Sequence, residues 1–121
     1  MLGLSPAVRI FVYQGSTDMR KSFDGLSGIV TQTATGDLLS GDYFVFFNRN
    51  RDRCKILLWD RDGFVVWAKR LERGSFQRPA SIDDSGARSA IEIDSTTLAM
   101  ILAGIDVNSA KKRKRYERLA S

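Results

Sequence analysis

Histidine is absent from this chain of 121 residues, which removes the usual general base and the commonest metal ligand near neutral pH. A single cysteine, Cys54, excludes an internal disulfide and any cysteine-based zinc site, and hints at a reducing compartment. The longest uninterrupted apolar run, Leu98 to Ala103, is far short of the roughly 20 residues that span a bilayer. The opening Met1-Leu2-Gly3-Leu4-Ser5-Pro6 lacks a charged region followed by a long apolar one, so no secretion signal is expected. No Gly-rich phosphate loop and no internal repeat are visible. These absences point to a soluble, cytoplasmic protein without histidine, disulfide or zinc chemistry.

Apolar residues make up 43% of the chain, normal for a globular domain and too many for a disordered one. The net charge of +5 is unevenly spread. Residues 49–78 carry nine bases against four acids, and residues 79–110 carry Arg88 against five acids. Residues 111–121 carry six bases against Glu117, so the tail alone accounts for the net charge. Two basic blocks flanking an acidic one suggest a polyanion or an acidic partner. Residues 1–110 are expected to form a single domain, with 111–121 a basic, flexible tail.

Arg9 to Tyr13 is β-branched and aromatic and reads as a strand. Ser16 or Thr17 then suits the cap of a helix with Asp18 in its first turn, and Met19, Phe23, Leu26 and Val30 follow on one helical face. Tyr43 to Phe47 is a continuous apolar run, as expected of a strand buried on both faces. Cys54 to Asp60 and Phe64 to Leu71, joined by Arg61-Asp62-Gly63, read as a hairpin. A three-residue loop with Gly63 left-handed puts Trp59 opposite Val65, Leu57 opposite Trp67 and Lys55 opposite Lys69; a two-residue loop shifts that register. Gln77 to Ser89 reads as a loop, Ala90 to Asp94 as an edge strand. Ser95 or Thr96 caps a short helix whose face is Leu98, Ile101, Leu102 and Ile105, stopped at Gly104. The expected architecture is α+β: an antiparallel β-meander of four to five strands with two short helices packed on it.

No catalytic constellation emerges. Cys54 falls on the core face of the hairpin and reads as a small buried hydrophobe. Asp60 and Asp62 suit a divalent ion by type, yet at a hairpin tip they are more simply turn residues. Nucleic-acid binding has more support. Arg49, Arg51, Arg53 and Lys55 alternate at period two, which on an extended segment puts four cations on one side. In the three-residue-loop register, Trp59 and Trp67 share a face with Lys55 and Lys69, as in single-strand binders, although tryptophans on a hairpin are more often covered by a helix. The tail Lys111-Lys112-Arg113-Lys114-Arg115 adds five consecutive cations. If all meet DNA phosphates, the log–log salt slope is roughly −4 to −5. A solubilising tail or a nuclear address has the same composition.

One stretch, Thr17-Asp18-Met19-Arg20-Lys21-Ser22-Phe23-Asp24-Gly25-Leu26, resembles the opening motif of the TnpB accessory proteins of insertion sequence 66 family elements. The resemblance continues through Gly41 to Phe47, Lys55 to Asp60, Asp62-Gly63-Phe64, Lys69 to Gly74 and Leu98 to Asp106, from about residue 8 to 107. Arg78 stands where the family usually has a Trp, so no role of that Trp is carried over. The resemblance implies a non-enzymatic accessory factor for transposition of a bacterial mobile element, without cofactor or metal. Its implied partners are a separate catalytic transposase and a further small accessory protein. On this reading Arg49, Arg51, Arg53, Lys55, Lys69, Arg70 and Lys111 to Arg115 contact DNA, while Asp18, Met19, Arg20, Lys21, Trp59 and Trp67 contact protein partners. The alternative is an adaptor of the transposase complex that makes no DNA contact.

Overall fold

The computed structural model describes residues 8–33, 36–78 and 89–104. The tail with Lys111 to Arg115, most of the loop at 79–88, and Ile105 lie outside the described residues. Five strands and two helices follow one another as β1 (Ile10–Tyr13), α1 (Phe23–Thr33), β2 (Tyr43–Phe47), β3 (Arg53–Asp60), β4 (Gly63–Arg70), β5 (Ala90–Ile93) and α2 (Ser95–Ala103). They form one sheet in the order β4-β3-β2-β1-β5, an α+β fold as expected.

The meander β2-β3-β4 is antiparallel throughout, and β5 returns antiparallel to β1. The parallel pair is β1 with β2. Its cause is the intervening helix: a crossover through α1 brings the chain back to start β2 in the same direction as β1. All nine residues of β1 and β2 are buried, which explains why Tyr43 to Phe47 shows no polar alternation.

Strand periodicity splits those residues between two cores. Ile10, Val12, Tyr43, Val45 and Phe47 point to one side and meet Cys54, Ile56, Phe76 and the α2 residues Leu98 and Ile101. Phe11, Tyr13, Phe44 and Phe46 point to the other and meet Leu57 and the α1 residues Leu26 and Val30. The two helices therefore cover opposite faces of the sheet.

Local chemistry moved both helix starts. The chain from Ser16 to Ser22 does not open α1, which begins at Phe23 with the Leu26 N–H donating to the Ser22 carbonyl. The Asp18 carboxylate accepts the backbone N–H of Arg20, two residues on, at 2.9 Å. That local turn competes with helical pairing. Met19 still packs against the α1-side core, whereas Phe23 at the helix start is 46% exposed. In α2 the cap is Asp94, which accepts the Thr97 N–H at 2.7 Å; Ser95 and Thr96 lie inside the helix. Gly104 closes it in the left-handed region (φ 80°) as expected.

The hairpin loop is the two-residue Arg61-Asp62, with Asp60 paired to Gly63 and Trp59 to Phe64. Arg61, not Gly63, takes the positive φ, 56°, and the Asp62 N–H donates to the Asp60 carbonyl, closing a γ-turn. Ile56 therefore faces Trp67, Leu57 faces Val66, and Lys55 faces Ala68. A left-handed arginine carries backbone strain that glycine does not. Arg61→Gly is expected to raise the urea midpoint, by about 0.5–1 kcal/mol in stability.

Candidate nucleic-acid interface

Three stretches of chain meet at the end of the sheet where β3 begins and β4 finishes. The first is residues 16–22, pinned at several points. The Thr17 N–H donates to the Phe47 carbonyl at 2.8 Å. The Lys55 ammonium donates to the carbonyls of Met19, at 2.8 Å, and Lys21, at 2.7 Å. Asp18 takes the Arg20 guanidinium at 2.7–3.1 Å in addition to its N–H. This pairing, mainly through the side-chain hydrogen bond, lowers the Asp18 carboxyl to about 2.

A depressed carboxylate contributes stability above its unfolded pKa and loses it as pH falls through the folded value. The Asp18–Arg20 turn is thus expected to hold above about pH 4 and to loosen towards pH 2. A carbon-detected NMR titration should give Asp18 a midpoint near 2, and Arg20→Met should return it towards the ordinary carboxylate range.

The second stretch is the turn after β2. Asn48 organises it: its Oδ1 accepts the N–H groups of Asp52 and Arg53, and its Nδ2 donates to Asp52 Oδ1 at 2.6 Å. Arg51 adopts a left-handed backbone (φ 57°) and lays its guanidinium over the Phe47 ring, 4.4 Å from the centroid. The carbonyls of Asp52 and Arg51 accept the N–H groups of Leu71 and Phe76, the latter's ring tilted against Phe47. The third stretch is the end of β4, where Arg53 pairs with Arg70 and Cys54 with Lys69.

These positions correct the expected cation row. Residues 48–52 form a closed turn, so Arg49, Arg51, Arg53 and Lys55 do not share one extended side. Arg51 is half-buried on Phe47, and Lys55 is committed to the carbonyls of the 16–22 stretch. Lys69 lies on the α2 side and donates to the Leu102 carbonyl at 2.9 Å, where a cation suits the helix end. The tryptophans are also parted. With Trp59 opposite Phe64 and Ile56 opposite Trp67, they occupy opposite faces of the hairpin. Trp67 packs on the α2-side core, and Trp59 lies edge-on to Phe64, ring centroids 5.0 Å apart. The shared aromatic face does not form.

A different surface does. Two clefts of about 380 Å³ each run side by side. One is lined by Thr17 to Arg20 with Asn48 to Asn50, the other by Lys55 and Ala68 to Arg70, and Met19 and Arg53 border both. Arg20, Arg49, Arg53 and Arg70 are exposed along this groove, with Lys21 beside it. Among the described residues Arg20 and Arg70 hold open-surface ion pairs, to Asp18 and Glu72. Exposed pairs of this kind contribute little net stability.

The structure thus merges two residue sets that the sequence kept apart: Arg20 and Lys21 of one motif, and Arg49, Arg53 and Arg70 of another. Asn48 and Asn50 were missed; their signal was the Asn48–Asp52 spacing, a side-chain-closed turn. Cys54 is buried, which pushes its thiol up to about 12. Among the described residues no three His, Cys, Asp or Glu side chains converge to hold a metal ion. No described helix is long and apolar enough to cross a membrane.

A family model described as IS66 Orf2 like protein matches residues 8–112, in agreement with the motif resemblance. Among curated proteins, the uncharacterized protein y4jC of Sinorhizobium fredii (strain NBRC 101917 / NGR234) is 30% identical over 113 residues, 93% of this chain and 92% of the relative. The uncharacterized protein y4hO of the same organism is 35% identical over 106 residues, 88% of each chain. No solved structure matches.

Proposed function

This chain belongs to the IS66 Orf2-like family, whose role in transposition is an accessory one, and from that premise we propose that it binds element DNA by its phosphate backbone. The observation that carries the reading is the groove in which Arg20, Arg49, Arg53 and Arg70 converge from three separate stretches of chain. Phosphate oxygens reward a fixed row of cations through counterion release, whatever the base sequence. Asn48 and Asn50 add neutral donors, which position a backbone without reading it. The protein acts in the cytoplasm without catalysis of its own, alongside the transposase and a further small accessory protein of the same element. The groove supplies one grip, and the five consecutive cations Lys111 to Arg115 a second.

Fluorescence anisotropy on terminal-repeat and random duplexes tests this. The full chain should bind both within a few-fold of each other. A chain ending at residue 110 should keep a log–log salt slope of about −3 to −4, from four groove arginines. Loss of all low-salt binding on that truncation would assign DNA contact to the tail and remove it from the groove.

A further inference from the structure

A cavity of about 540 Å³ lies where the end of β1, the chain from Gly15 to Lys21 and the last turns of α1 come together. That volume falls within the roughly 300–1,000 Å³ of small-molecule sites. Its inner side is made by the buried Tyr13 and Thr17 with the half-buried Ile29 and Thr33, and its rim by exposed Ser16, Lys21 and Gln32. The walls are braced. The Tyr13 hydroxyl and Thr33 Oγ1 share a hydrogen bond of 2.9 Å, the Tyr13 ring stacks on Phe46 with centroids 4.8 Å apart, and the Thr17 N–H is tied to the Phe47 carbonyl. The Lys55 ammonium fixes the Met19 and Lys21 carbonyls on the far side of the same stretch.

The cavity and the cation groove are neighbours of unlike chemistry. Thr17 and Asp18 line both, so one stretch of chain is their common wall. The adjoining cleft gathers Arg20, Arg49 and Arg53. The cavity has two ionisable carboxylate or ammonium groups, Asp18 and Lys21, whose charges offset. The groove therefore suits an anion, and the cavity a neutral group with donors and acceptors on an apolar body. A nucleotide carries both. We propose that the cavity takes one unpaired base of a DNA whose phosphates lie in the groove. The Ser16 hydroxyl and the Gln32 amide supply polar contacts, and an amide of this kind pairs with both N6 and N7 of adenine. A base already out of its pair enters at the least unstacking cost. The inference rests on the DNA reading of the groove and adds to it a preference for DNA with an unpaired base.

Anisotropy titrations of the full chain on three DNAs test it: a fully paired duplex, the same duplex with one bulged adenine, and one whose bulged nucleotide lacks its base. The bulged adenine should bind about tenfold tighter than either of the others. The abasic bulge separates entry of a base from ease of bending. A side chain at Gly15, which lines the cavity, starts in open space with no heavy atom within 4 Å of its Cβ. Gly15→Leu thus occupies the cavity without displacing the fold, and Gln32→Ala removes an exposed amide. Each should erase the tenfold gain while paired-duplex affinity, its salt slope and the circular dichroism spectrum stay as they were. Equal binding of all three DNAs overturns the base site and leaves the groove standing. Equal tightening by both bulges assigns the gain to bending, and a gain that survives either substitution puts the base elsewhere; both overturn the proposal. If none of the DNAs binds at low salt, the groove reading falls with it.

Discussion

Replacing Arg49 and Arg53 together by alanine should cost about a hundredfold in duplex affinity at low salt. Each lost phosphate contact removes about 0.9 from the salt slope, which at roughly 0.05 M salt is about one log unit of binding. Two contacts then give about two log units, and the slope itself should shallow by about 1.8. The loss should be alike for terminal-repeat and random duplexes, because phosphate contacts carry no sequence information. Arg51→Ala provides the contrast. Its guanidinium rests on the Phe47 ring rather than lining the groove, so the slope should stay near its original value while stability falls. Equal slope changes for Arg51 and Arg53 would restore the simple alternating row and discard the groove. Anisotropy titrations over a salt series decide between them.

The largest stability loss is expected at Phe47. This side chain is 1% exposed and sits tilted against Phe76 with ring centroids 5.5 Å apart. The Arg51 guanidinium lies over the same ring, 4.4 Å from its centroid. Phe47→Ala should cost about 3–5 kcal/mol, the usual range for emptying a fully packed aromatic site. For a chain of this size that lowers the melting temperature by at least about 10 °C. The consequence reaches the groove. Phe47 supports the ring contacts that seat Arg51 and Phe76, and its carbonyl anchors Thr17. Removing the ring loosens the 48–52 turn that presents Arg49 and Arg53. Chemical denaturation should show the destabilisation, and DNA affinity should drop even below the melting point. Phe47→Leu keeps much of the volume and should recover part of both.

The hairpin shows how far local chemistry carries a reading. Two apolar runs around Asp62-Gly63 make a turn certain in kind, and both strands formed within a residue of where they were expected. Which residue takes the positive φ is a smaller matter energetically, about 1 kcal/mol, and packing of both faces outweighs it. Arg61 took that position, the loop closed one residue shorter, and Trp59 and Trp67 parted to opposite faces. Strand side chains alternate with period two, so a one-residue change in the loop reassigns every pairing on the hairpin. The stretch at Thr17 to Ser22 shows the same limit. Its composition suits a helix start, but Asp18 captures the Arg20 N–H, and Lys55, far along the chain, holds the Met19 and Lys21 carbonyls.

By itself the sequence determined the kind and order of the elements, the doubly buried strand at Tyr43 to Phe47, the glycine stop at Gly104, and the charge inventory of each stretch. Those follow from short-range sterics, side-chain periodicity and counting. Only the tertiary structure decided which cations stand together. Arg20, Arg49, Arg53 and Arg70 come from three stretches of chain, and their meeting depends on the crossover through α1, the hairpin register and the Lys55 anchor. The same packing withdrew Arg51, Lys55 and Lys69 from the open row by giving each a ring or a carbonyl to hold. Charge is a property of residues, but a binding surface is a property of how strands pair.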